Sequence, residues 1–231
     1  MVQPQRGSTG SLITHYLIVP SDVLRAMIGN VTALATLLQD TLPTYDRIGD
    51  ELVPLTLTNP SEDTAEQVDV LLDLMTYSQN KMRTIEVLLG AIVKGMPLVV
   101  VNAPTEIRPR IRFIQGLLTL LPSSTRYGVT FATSSDSNTQ MSLQIRFMDG
   151  GKAPGGSIVY DWASGDVLGD VPNDDYSRFI ISQFRLDTEL VIQQTETLTP
   201  IAGWRFRNGD SLAAALAYAS YRTKVDKAVM N

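Results

Sequence analysis

Apolar residues recur along this chain with two different periods, and the switches between them mark out its elements. Leu12 to Val19 is a short, mostly apolar run suited to a strand, and Pro20-Ser21-Asp22 offers a helix start after it. Val23, Met27, Val31, Leu34 and Leu38 then return at helical spacing as far as Pro43, with Gly29-Asn30 weak enough to split the helix in two. Beyond a charged turn, LVPLTLT reads as a short strand that Pro54 restricts to an edge or a bulge. Asn59 to Asp63 supplies cap and first-turn chemistry for a second helical region. Val68, Leu71, Leu72, Met75, Met82, Ile85, Leu88, Leu89 and Ile92 continue it to Lys94. The polar stretch TYSQNKMRT predicts a break there, hence two helices, with Gly95 as the C-cap of the second and Pro97 opening the exit.

MPLVVV is short, β-branched and apolar on both faces, which predicts a buried central strand. A loop at Asn102-Ala103-Pro104 leads to a helix with Pro109 as its first residue and Ile111, Ile114, Leu117, Leu118 and Leu121 on one face. Pro122 ends that helix, Ser123 to Arg126 turn the chain, and Tyr127 to Thr133 alternates as a strand. Met141 to Met148 and Ser157 to Trp162 read as two more strands, a long-looped hairpin closed by DGGKAPGG. Asn173-Asp174-Asp175 caps a helix that buries Tyr176, Phe179, Ile180, Phe184 and Leu190 or Val191 and is closed by Pro200. Gly209-Asp210-Ser211 introduces an alanine-rich helix with Leu212, Leu216, Ala219 and Val225 on its apolar face.

This order predicts an α/β fold: a partly parallel sheet flanked by helices, with a β-hairpin and a helical C-terminal part. Residues 1–11 read as a flexible leader, 12–200 as the α/β domain and 201–231 as a C-terminal helical extension. The chain stops just after that last helix without a C-cap, which suggests a truncation from a longer protein.

Composition narrows the function classes. The 231 residues fit one large domain or two small ones, and 44% hydrophobic content can build a sizeable core. A net charge of -5 argues against nucleic-acid or anionic-membrane binding, though a local basic patch can sit on an acidic protein. With no cysteine, disulfides, thiolate nucleophiles and thiolate metal sites are excluded. The N-terminus is polar, and LITHYLIV is too short for a signal segment with normal flanks. The longest candidate span, IEVLLGAIVKGMPLVVV, holds Lys94, Gly95 and Pro97 and falls short of the roughly 20 residues a crossing needs. A cytoplasmic protein without membrane attachment is the expectation.

Several stretches carry candidate chemistry. LVVV followed by NAPTEIRPR has the strand–loop–helix outline of a phosphate site. It lacks the glycines for a backbone nest, the lysine, and the hydroxyl at the helix start. An anion could still meet the helix N-terminus and Arg108 or Arg110. DGGKAPGGS has glycines and a lysine but no helix after it, which suits a mobile loop. Arg108, Arg110 and Arg112, with Arg126 beyond the helix, are the only basic concentration. Arg108 and Arg112 share a face at i, i+4, as a surface for an acidic partner or as a solvated face opposite Ile111, Ile114 and Leu118. His15, the only histidine, has no motif around it and reads as structural. Asp161, Asp166, Asp170, Asp174 and Asp175 could bind Mg²⁺ or Ca²⁺, as a metal-dependent hydrolase would require. DWASGDVLGD lacks the twelfth-position glutamate of a calcium loop, and turn and cap duty explains these acids more cheaply.

Leu117, Leu118, Leu121, Pro122, Arg126, Val129, Thr130, Phe131, Ala132 and Thr133, preceded by LLGAIVKGMPLVVV, resemble the middle domain of the bacterial GTPase-associated protein 1 family. The resemblance covers about a third of the chain. It implies a non-catalytic or adaptor module in larger proteins of bacterial signalling or conflict systems. The implied partner is a small GTPase or another domain of a longer chain. It supplies no catalytic residue, and no cofactor is expected. The sequence therefore predicts a scaffold or protein-interaction domain with Leu117, Leu121 and Phe131 in its core. Arg108, Arg110 and Arg112 are the candidate partner surface, and a degenerate nucleotide-binding domain without hydrolysis is the alternative.

Overall fold

The computed structural model describes residues 2–6, 12–16, 19–41, 64–135 and 142–230. The expected strand at LVPLTLT and the cap at Asn59 to Asp63 lie outside the described residues. Where a flexible leader is expected, β1 (Val2–Arg6) pairs antiparallel with β2 (Leu12–Tyr16). His15 stands opposite Gln3 in that ladder.

A five-stranded, mostly parallel sheet organises the rest. Its strands are β3 (Leu98–Val101), β4 (Phe131–Ser135), β5 (Ile145–Met148), β6 (Ile158–Asp161) and β7 (Asp166–Leu168), in spatial order β4-β5-β3-β6-β7. Only β7 runs antiparallel, to β6. LVVV is central as predicted, with Leu98, Val99 and Val100 fully buried. Alternation along the strands sends one set of side chains into the main core. Leu98 stands level with Ile145 and Ile158, and Val100 with Phe147 and Tyr160, so two rungs of large apolar groups line one face.

The chain packs its helices on those rungs. α3 (Thr64–Tyr77) and α4 (Met82–Val93) are separate because Gln79 and Asn80 both adopt left-handed backbone, at φ 54° and 57°, which turns the chain at the polar break. α5 (Ile107–Thr119) follows β3 and crosses close to α3 at Gly116. A Cβ there would lie 2.8 Å from both Leu74 Cβ and Val70 O, so the two backbones approach as only glycine permits. α1 (Ser21–Ala26) and α2 (Val31–Thr41) are split at the expected place, with Ile28 and Gly29 at φ 49° and 69°. A Cβ on Gly29 would meet Arg126 Cβ at 2.5 Å.

α6 (Asp175–Phe184), α7 (Thr188–Arg207) and α8 (Leu212–Met230) form the helical C-terminal part. One predicted helix is two here, because Asp187 leaves the helical region and caps α7 by accepting from Glu189 N at 2.7 Å. α7 then runs through Pro200 instead of ending there. The proline removes a donor that would have bonded to Glu196, while the neighbouring Thr199 carbonyl accepts from Ser124 Oγ at 2.7 Å. Asp174 caps α6 as predicted, accepting from Ser177 N and Ser177 Oγ, both at 2.7 Å. Replacing it with alanine is expected to cost about 1 kcal/mol, read as a lower urea midpoint at unchanged slope.

Two strand expectations need correction. The predicted hairpin of 141–148 with 157–162 does not form, because β5 and β6 lie parallel on opposite sides of β3. DGGKAPGGS is thus a crossover loop, and the hairpin is β6–β7, turning at Gly165. The predicted strand from Tyr127 begins later, at Phe131, since Ser123–Gly128 is a 3-10 helix. Arg126 Nε donates to Leu121 O at 3.0 Å within it, and the Tyr127 ring turns to Phe206 of α7, 5.6 Å between centroids. Leu117, Leu118 and Leu121 are core; Phe131 is half-buried against it. No described helix is long and apolar enough to cross a membrane.

Candidate functional site

Parallel α/β sheets bind ligands outside the carboxyl ends of their strands, where loops converge and helices begin. Here that edge gathers Asn102 after β3, Ser134 and Ser135 on β4, Asp149 after β5 and Asp161 at the end of β6. α5 begins beside them, which makes this edge the place to judge a phosphate or catalytic site.

Its polar groups are engaged with one another. Arg110 is buried, and its guanidinium donates from Nε to Pro104 O at 2.6 Å and from Nη1 to Thr133 O at 2.7 Å. Nη2 bonds to Asp149 Oδ1 at 2.6 Å, with Nη1 3.4 Å from Oδ2, and the cation stands 5.5 Å from the Phe147 ring centroid. One side chain therefore ties α5 to the ends of β3, β4 and β5. Hydrogen bonding to Arg110 holds the Asp149 carboxyl below the usual aspartate range, with a smaller contribution from Ser134. Asn102, in left-handed backbone at φ 55°, donates from Nδ2 to Asp161 Oδ2 at 3.0 Å. The other Asp161 oxygen accepts from Ala163 N and Ser164 N and closes the β6–β7 turn.

Aromatic rings fill the space beneath. Phe113 of α5 stacks on Tyr160 at 5.6 Å and lies 5.1 Å from Trp162, which in turn lies 4.8 Å from Tyr77. Tyr160 donates its hydroxyl to the Tyr77 carbonyl, and burial pushes its pKa up to about 12, so it stays neutral. Two clefts lie elsewhere. An apolar one of about 290 Å³ borders Leu24, Val31, Leu118 and Val129, and a polar one of about 420 Å³ separates α6 from α8.

The predicted site residues are not brought together. Only Arg108 points outward; Arg110 is the buried tie just described, and Arg112 pairs through Nε with Asp73 of α3. Arg110 is thus not a surface group, because the strand ends it bridges cover it. The acidic set is likewise dispersed over turns and caps: Asp166 pairs with Lys81 at 2.7 Å, Asp175 with Arg178, and Asp174 serves the α6 cap. Lys81 holds the Asp166 carboxyl below its ordinary value. Among the described residues no three His, Asp or Glu side chains are placed to hold a metal ion. Sequence reasoning missed Asn102, Asp149 and Trp162; the signals were an asparagine and an aspartate each directly following an apolar strand. No protein-family model matches the chain, and a search of curated proteins found no match.

Proposed function

We propose that this chain is a non-catalytic α/β scaffold that works by binding other proteins, as one module of a larger cytoplasmic bacterial signalling or conflict-system protein. What supports this is the carboxyl edge of the sheet. The arginine that would meet a phosphate is committed to two carbonyls and Asp149. Beneath that edge, between α5 and the sheet, Phe113, Tyr160 and Trp162 pack as core and, among the described residues, leave no opening into the interior. A small GTPase or another domain of the same protein is the partner the family resemblance suggests.

The competing reading, a degenerate nucleotide-binding domain, draws on the start of α5. No side chain caps that helix, and exposed Arg108 stands in its first turn. Glu106 at the N-cap position puts a carboxylate where a phosphate would approach, which weighs against it. Thermal shift with ATP and GTP at millimolar concentration, with and without Mg²⁺, decides between them. No change in Tm is expected. Because ligand at 100 times Kd stabilises by about 2.7 kcal/mol, a saturating nucleotide would shift Tm visibly and overturn the scaffold reading.

A further inference from the structure

The surface of α8 points to a partner chemistry that the α5 arginines do not. α8 buries Ala215, Leu216 and Ala219 against the core, yet its outward side is not polar. Ala214, Ala217, Tyr218 and Tyr221 are all exposed, Tyr218 by 42% and Tyr221 by 67%. Their spacing, i, i+3, i+4 and i+7, places them on one stripe of the helix. Two cations border it: exposed Arg222 follows Tyr218 by one turn along one edge, and exposed Lys224 lies beyond Ala217 along the other. On the Tyr218 side the guanidinium of Arg205 from α7 stands 4.7 Å from the Tyr218 ring centroid, and Arg205 is itself paired with Asp210. Tyr and Arg are among the residue types that dominate binding energy at protein interfaces.

Charge identifies what such a stripe would accept. Residues 201–225 hold four Lys or Arg against one Asp, a net +3 on a chain of net -5, so the remainder carries -8. The C-terminal hairpin is a local basic surface with an apolar centre. On the Lys224 side the stripe borders the 420 Å³ cleft between α6 and α8, where Lys94 stands 3.8 Å from Asp174. Asp174 also caps α6, and Asp175 pairs with Arg178, so the basic surface is the α7–α8 hairpin itself.

We infer that the α8 stripe of Ala214, Ala217, Tyr218 and Tyr221, edged by Arg222 and Lys224, docks an acidic amphipathic helix of another protein. Its apolar face lies on the tyrosines and its flanking carboxylates meet the two cations. A second copy facing it α8 to α8 would bring two surfaces of net +3 together. A nucleic acid would meet cations on one narrow stripe of an otherwise acidic chain. This inference rests on the interaction-domain reading above, but its test is separate, since nucleotide binding is read by thermal shift and not by peptide affinity.

The test titrates the full chain into two fluorescently labelled helical peptides. Both carry leucine at i, i+3, i+4 and i+7; one flanks the leucines with glutamate, the other with lysine. An oligo-dT strand is titrated in parallel, and sedimentation reports self-association. The glutamate peptide is expected to bind saturably and more weakly as salt rises, and the lysine peptide to bind far less. Tyr218→Ala with Tyr221→Ala should weaken the glutamate peptide at least about tenfold. Arg222→Glu with Lys224→Glu should reverse the preference between peptides, and decides the matter should the tyrosine variant not fold. The inference is overturned by equal affinity for the two peptides, by no binding of the glutamate peptide, or by an unchanged preference in the charge-reversed variant. It is equally overturned if oligo-dT binds more tightly, or if the chain forms a dimer that the tyrosine variant dissociates.

Discussion

Phe113→Ala is expected to lower the stability of the domain by about 3–5 kcal/mol, the range for removing a fully buried aromatic ring. Phe113 is fully buried and touches three other aromatic groups, stacking on Tyr160 at 5.6 Å and meeting Phe147 at 6.0 Å and Trp162 at 5.1 Å. These partners come from β5, β6 and the β6–β7 turn, so α5 loses its grip on half the sheet at once. The site cannot collapse easily, because Tyr160 is fixed by its hydroxyl bond to the Tyr77 carbonyl and Trp162 packs on the Tyr77 ring. Against a total of about 5–15 kcal/mol for a natural domain, this is a large share. At about 2–4 °C per kcal/mol for a chain of this size, Tm should fall by roughly 6–20 °C. Phe113→Leu, which keeps part of the volume, should fall less. If Phe113→Ala instead keeps the wild-type Tm, the aromatic cluster is not what holds α5 on the sheet.

The parts of this fold that are legible in the sequence are those decided locally. At the two breaks Gly29 and Asn80 are residues that tolerate left-handed backbone and adopt it, carrying Ile28 and Gln79 with them, and Gly95 does so at φ 67°, just past α4. LVVV reads as central because it is apolar on both faces, and the order of apolar runs suffices for a mostly parallel α/β sheet. Strand pairing is a different matter. Whether β5 and β6 face each other or straddle β3 depends on contacts between distant segments, and nothing in 145–161 distinguishes the two. The alternation of Tyr127, Val129 and Phe131 suits a strand, but Tyr127 turns its ring to Phe206, nearly eighty residues away. Pro200 reads as a helix stop because it lacks a donor, yet α7 runs through it, and the contact that another element makes there, Ser124 Oγ on the Thr199 carbonyl, is not visible in the local sequence. The arginines of α5 show the same limit. Three cations at alternate positions look alike in the sequence, while the structure buries one, pairs one and exposes one.

That difference makes Arg110 the second large effect. Arg110→Ala is expected to cost about 2–4 kcal/mol, within the range for breaking a buried charge pair but toward its lower end. The reason for the lower end is that the Asp149 side chain is 54% exposed and can be resolvated, whereas the Pro104 and Thr133 carbonyls lose the guanidinium that donates to both. Arg110→Lys should recover only part of the loss, since one ammonium cannot reach along three directions as a planar guanidinium does. Asp149→Asn should cost under about 1 kcal/mol for the same reason of exposure. Its pH dependence follows from the sign of the shift: the Asp149 carboxyl is depressed in the folded state by Arg110. The stability it contributes is therefore complete above the unfolded aspartate value and is lost as pH falls through the lower folded one. Wild type and Asp149→Asn should differ by a constant amount at neutral pH and converge in strong acid. Urea midpoints measured across that range would show it. If Arg110→Ala keeps wild-type stability and the two curves never converge, the guanidinium is not a structural tie. It would then be free to serve as the anion or partner contact that its position at the start of α5 suggests.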